Sequence, residues 1–145
     1  MADDLDQGGE APCWAHFVEH LDQRSAPIRI TGSNTVLYSD RWFELVDFYR
    51  TGLGLRTAME RDWFVEFELH SGAHISVADA HEAGMVSGDG TGVTLSWRVD
   101  DVAVVREALV RNGIEVSPIG NRWSSPGFFV SDPAGNRIEF WSAAT

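Results

Sequence analysis

Two stretches of this chain run in step, and that repetition limits the possible folds more than any single motif. "SNTVLYSDRWFELVDFYRTGLGL" (Ser33 to Leu55) lies against "TLSWRVDDVAVVREALVRNGIEV" (Thr94 to Val116). Asp40 matches Asp101, Arg50 matches Arg111 and Gly52 matches Gly113, at a constant separation of 61 (101 − 40). A second pair follows in the same order. "LHSGAHISV" (Leu69 to Val77) lies against "DPAGNRIEF" (Asp132 to Phe140), with Gly72 on Gly135 and Ile75 on Ile138, at a separation of 63 (135 − 72). Ordered blocks with nearly one offset imply two copies of one supersecondary module.

Each copy reads as a strand, a helix and three strands. "NTVLYS" and "GVTLSWRV" are the opening strands. Asp40 and Asp101 then stand where a helix N-cap belongs. The first helix aligns Trp42, Leu45, Val46 and Tyr49 on one face, and the second aligns Val102, Val105, Ala108 and Leu109. Gly52 and Gly113 are the expected left-handed C-caps. "LRTAME", "WFVEFELH" and "HISVAD" complete the first copy; "IEVSPI", "GFFVSD" and "RIEFWS" complete the second. Gly72 and Pro133-Ala134-Gly135 mark hairpin turns, and "NRWSSPG" reads as a polar loop. The fold class is therefore α+β, two βαβββ modules. One domain spans 28–145, with modules 28–80 and 91–145 joined by a polar, Gly-rich linker, 81–90. Residues 1–27 form an N-terminal extension. It has an acidic, disordered start, then a short amphipathic helix with Trp14, Phe17, Val18 and Leu21 on one stripe.

Charge and cysteine usage narrow the partners. Eleven basic residues face 22 acidic ones, a net charge of −11. That argues against nucleic acid and against anionic membrane surfaces, and it mildly favours neutral or cationic small ligands. No apolar run reaches the ~20 residues that cross a bilayer. "MADDLDQGGE" lacks the basic and apolar parts of a signal peptide. The single Cys13 excludes an internal disulfide and fits a reducing cytoplasm.

The ordered set "SDRWFELVDFYRTGLGL", "ISVADA", "RVDDV" and "DPAGNRIEFW" resembles the vicinal oxygen chelate superfamily, over about residues 30 to 143. That family holds glyoxalases, bleomycin-resistance proteins, fosfomycin-modifying enzymes and extradiol dioxygenases. The resemblance implies that each module curls its sheet into half of an open cup, with the halves drawn from one chain or from two. It also implies a homodimer. Metal-using members carry one ligand on the first strand and one on the last strand of each module, commonly His and Glu. Carried over at the repeat offsets, those positions are Ser33, Ser76, Thr94 and Glu139; a one-residue slip of the first strand would substitute Asn34 for Ser33. Three are hydroxyls, which are poor ligands for zinc, nickel or iron. No cofactor is expected on that account. The alternative is a displaced divalent-metal site using Glu139 and His74.

Alternation along the strands nominates the cup lining: Ser33, Thr35 and Leu37; His74 and Ser76; Thr94, Ser96 and Arg98; Arg137, Glu139 and Trp141. Val36 and Tyr38, with Ile75, Val77, Val93, Leu95, Trp97, Ile138 and Phe140, are expected on the core side. Trp63 and Trp123, in loop-like segments, are candidates to stack on a planar or cationic ligand. Glu139 has three readings: pairing with Arg98 or Arg137, contacting a ligand, or acting as a general base. The function expected is binding of a small organic molecule without the usual family metal. The alternative is a lyase, isomerase or dioxygenase of glyoxalase type with an atypical metal site or a metal-free one built on Glu139.

Overall fold

The computed structural model describes residues 29–144 apart from 89, 91 and 123. The expected N-terminal helix and Trp123 lie outside the described residues. The first module contains β1 (Ser33–Ser39), α1 (Trp42–Asp47), β2 (Arg56–Arg61), β3 (Phe64–His70) and β4 (Ala73–Asp79). A one-turn helix, α2 (Ala80–Ala83), follows. The second module contains β5 (Thr94–Arg98), α3 (Val102–Arg111), β6 (Gly120–Arg122), β7 (Ser125–Ser131) and β8 (Arg137–Trp141). The sheets have orders β1-β4-β3-β2 and β5-β8-β7-β6. In each, the first strand runs parallel to the last, and the other pairs are antiparallel. The two βαβββ modules are thus as expected.

The modules share one core. Val65, Phe67, Ile75 and Val77 from the first sheet join Phe128, Val130, Ile138 and Phe140 from the second. Trp42, Leu45, Val46 and Tyr49 of the first helical segment and Val102 and Leu109 of α3 complete the cluster. Each sheet alternates, so the residues between these point the other way, away from the shared core. Both outer faces are therefore turned outward from a common centre.

A buried clasp ties the modules together. The Tyr49 hydroxyl donates to Asp132 Oδ2 at 2.6 Å. Asp132 opens the turn before β8, and its carboxylate also accepts from the Ala134 and Asn136 backbone N–H groups and from Asn136 Nδ2. Gly135 takes φ +91° there, and Gly72 takes +78° in the matching turn of the first module. Burial, reinforced by the Asp132 carboxylate, pushes the Tyr49 phenol far above its ordinary range.

Several local expectations need correction. Helix α1 is capped at Arg41 with no side-chain cap, not at Asp40; the Ser39 hydroxyl accepts from the Arg41 N–H instead. Asp101 does cap α3, accepting from Ala103 and Val104 N–H. The first helix runs on as one turn of π-helix, Phe48–Gly52. That extra residue, added to a helix start one place later than the 61 match implies, puts the left-handed glycine at Gly54 in place of Gly52, at φ +71°. Helix starts are thus 60 apart (102 − 42), and the left-handed glycines 59 apart (113 − 54). The sequence match at 61 falls on neither. "IEVSPI" is not a strand: Pro118 has no N–H to give, and the Ser117 hydroxyl accepts the Phe129 N–H in place of a ladder carbonyl. "NRWSSPG" is not an open loop; β6 and β7 make a hairpin through it, with Ser124 at φ +69°. The linker begins as α2, capped by Asp79 and ended by Gly84.

Candidate functional site

The register of β1 on β4 decides the outward face of the first module. Asn34 pairs with His74, and Val36 with Ser76. Paired residues of parallel strands share a face, so Asn34, Val36 and Tyr38 lie with His74 and Ser76. Ser33, Thr35 and Leu37 lie on the other side, with Ala73, Ile75 and Val77. Thr35 lines a separate cleft beside the linker. The one-residue slip thus occurs, and Val36 and Tyr38 leave the core side to which alternation assigned them. The match at 61 is the cause, since the strands correspond at 60 (94 − 34).

The second module follows the sequence reading. Thr94, Ser96 and Arg98 pair with Arg137, Glu139 and Trp141 in turn. All six share the outward face, while Leu95, Trp97, Ile138 and Phe140 turn inward. Val93, in contrast, is exposed.

Polar groups on each face are tied within their own module. The Ser76 hydroxyl, fully buried, donates to Asn34 Oδ1 at 2.8 Å. His74 Nδ1 lies 3.6 Å from Glu66 Oε2, with side chains 29% and 22% exposed. Glu66 is opposite Ser76 on β3, and Glu68 is opposite His74. Neither glutamate was singled out from the sequence. The alternation of Val65, Phe67 and Leu69 inward with Glu66 and Glu68 outward was the available signal. On the second face, the Ser96 hydroxyl donates to Glu139 Oε1 at 2.9 Å. Arg98 sits over the Trp141 ring at 5.7 Å, and Arg137 over the Phe129 ring at 3.9 Å. The two guanidiniums thus stack on aromatics, and a hydroxyl serves Glu139. Trp63 stands at the β2–β3 turn, 40% exposed and edge-on to Phe64 at 5.5 Å.

The positions where the resemblance puts metal ligands now read Asn34, Ser76, Thr94 and Glu139. An amide, two alcohols and one carboxylate do not suit a transition ion. The Asn34–Ser76 bond also spends that amide oxygen on a neighbour. The donor set does not fit the family metal. Among the described residues, no cluster of three or more His, Cys, Asp or Glu side chains forms a metal cage.

Two βαβββ modules, each with a mixed four-stranded sheet whose first and last strands are parallel and present polar groups on one face, define the paired-module fold. The family model described as "Glyoxalase/Bleomycin resistance protein/Dioxygenase superfamily" matches residues 33–140. The chain belongs to that superfamily. Among solved structures, it is similar to a glyoxalase/bleomycin resistance protein/dioxygenase from Nocardioides (19% identity, TM-score 0.69, covering 90% of this chain and 93% of that one). Lactoylglutathione lyase from Agrobacterium tumefaciens matches at 19% identity and TM-score 0.63, over 83% and 96% of the two chains. TnmS3, an antibiotic binding protein from Streptomyces sp. CB03234, matches at 20% identity and TM-score 0.64, over 83% and 100%. Likeness at this identity is likeness of fold. Among curated proteins, none matches the chain. Among the described residues, no helix is long and apolar enough to cross a membrane.

Proposed function

We propose that this protein binds a small organic ligand, planar or cationic, in a cup lined by the outward faces, and does so without the usual family metal. The observation that carries this reading is the donor set: where metal-using relatives place imidazoles and carboxylates, this chain has Asn34, Ser76 and Thr94, and a single Glu139. Glu139 is half-buried, is held by Ser96, and shares a face with Trp141 and Phe129. A carboxylate held by a hydroxyl, between rings that Arg98 and Arg137 already cover, suits holding a planar ligand better than it suits proton transfer. The fold relative named as an antibiotic binding protein is in keeping with sequestration.

We further propose that the cup closes between two copies of the chain. The faces point away from one core, so each needs a partner's face to become a concavity. The lone cysteine and the acidic charge favour a cytoplasmic setting.

The test uses freshly purified protein. Elemental analysis is expected to find no stoichiometric transition metal. Calorimetric titration with ethidium, a planar aromatic cation, is expected to show binding that Glu139→Gln weakens about tenfold, or about 1.4 kcal/mol. A tightly held transition ion that is lost with Glu139→Gln would overturn the reading in favour of an atypical metal enzyme.

A further inference from the structure

A cleft of about 630 Å³ runs between the modules, lined by Leu55, Leu69 and His70 from the first and by β5 and the end of β8 from the second. Its walls are apolar: Leu55, Leu69, Trp97, Val99 and Phe140. Arg98 and Asp100 lie at its polar margin. It has a counterpart related by the pseudo-symmetry of the two modules. That second cleft is lined by Val36, Leu37 and Tyr38 of β1, the residues matching Ser96, Trp97 and Arg98 at a separation of 60 (96 − 36). Its other wall is the turn before β8, with Ala134 and Asn136.

The counterpart cleft has one wall built from the chain just upstream of a first strand. The stretch that leads into β5 lies along it, contributing Val86, Gly88, Gly90 and Val93. Gly90 passes so close over Gly135 that a side chain there would collide with the Gly135 carbonyl. The same approach recurs in the first module. A Cβ on Gly32 would lie 3.3 Å from the Gly72 carbonyl oxygen, and Ser33 N–H donates to that oxygen at 2.7 Å. By the same operation, the stretch leading into β1 is the one that belongs along the larger cleft.

We propose that residues 11–25 of this chain dock in the cleft between β5 and the β3–β4 hairpin, with Trp14, Phe17, Val18 and Leu21 seated on Leu69, Trp97 and Phe140. Where the described chain begins supports this. Residue 29 lies just upstream of the contact with Gly72, two residues beyond His70 on the cleft wall. Seven residues lie between Leu21 and Arg29, a reach of up to about 26 Å over the eight steps when extended. Length is therefore no obstacle. Charge is no obstacle: residues 11–25 carry Glu19 and Asp22 against Arg24, and the cleft margin presents Arg98 beside Asp100. The stripe gains burial that a lone amphipathic helix lacks in water.

The unique Cys13 makes the test direct. A nitroxide attached there on the full chain should broaden the amide signals of residues 69–70 and 96–100 more strongly than those of any other described residues. The variant Trp14→Ser/Phe17→Ser/Leu21→Ser alters only the upstream segment, so the body stays folded, and it should restore the lost signals. Mixing nitroxide-bearing unlabelled chain with isotope-labelled chain separates the sources. Signal loss that appears in such mixtures as well would assign the cleft to a second copy and overturn the proposal. Unchanged signals around the cleft in the labelled full chain would overturn it too, leaving the cleft to an outside partner.

Discussion

At the scale of single residues, the Tyr49–Asp132 hydrogen bond carries the most testable consequence. Tyr49→Phe removes one donor from a carboxylate that keeps three others. Its cost at neutral pH should be about 1–2 kcal/mol. The pH dependence has a definite sign. Folding holds the phenol proton, because the ionised ring would be buried beside a carboxylate. The unfolded tyrosine loses its proton near pH ~10. The contribution is thus fully present below about pH 10 and is lost as the pH rises beyond it, at up to about 1.4 kcal/mol per pH unit. Urea unfolding at pH 7 and pH 11 should show the gap between wild type and Tyr49→Phe narrowing at the higher pH. A gap that stays constant would mean that Tyr49 ionises with equal ease in the folded state.

At the scale of elements, the π-turn at Phe48–Gly52 is the departure with the widest effect. It inserts a residue, which places Gly54, not Gly52, in the left-handed conformation. Gly54→Ala should cost about 1 kcal/mol, and Gly54→Asn less, because asparagine tolerates that conformation better. Thermal unfolding of the two variants checks the order. The same insertion shows why part of the architecture was legible and part was not. Apolar periodicity placed Trp42, Leu45, Val46 and Tyr49 correctly, because burial acts on side-chain spacing. The repeat was aligned through Asp40 and Gly52, residues that resemble caps but do not act as caps, so the first strand was one residue out of register. A one-residue error inverts every side chain of a strand. It sends Ser33 and Thr35 to the wrong face and hides Asn34, whereas β5 and β8, beside a true cap at Asp101, present the faces that alternation assigns them from Thr94 onward. Glu66 was overlooked for a different reason. Its role depends on the partner strand that lies beside β4, and pairing of distant strands leaves no mark in local spacing.

At the scale of the whole molecule, one apolar cluster draws on the inner residues of both sheets and on the helices of both modules. The proposal that the cup closes between two copies predicts a dimer with its contact across the polar faces. Met59 offers a probe, being partly exposed and opposite Glu66 on the outward side. Met59→Arg should leave single-chain stability nearly unchanged and shift the sedimentation coefficient from dimer to monomer at micromolar protein. An unaltered dimer would place the contact elsewhere.

The clasp across the modules also bears on how far this architecture can be taken apart. Severing the chain within the glycine-rich crossing would strand a phenol on one fragment and its acceptor on the other, and would open inner sheet surfaces that are now dry. Neither fragment would be an independent building block; each would hold its shape only in the company of its complement.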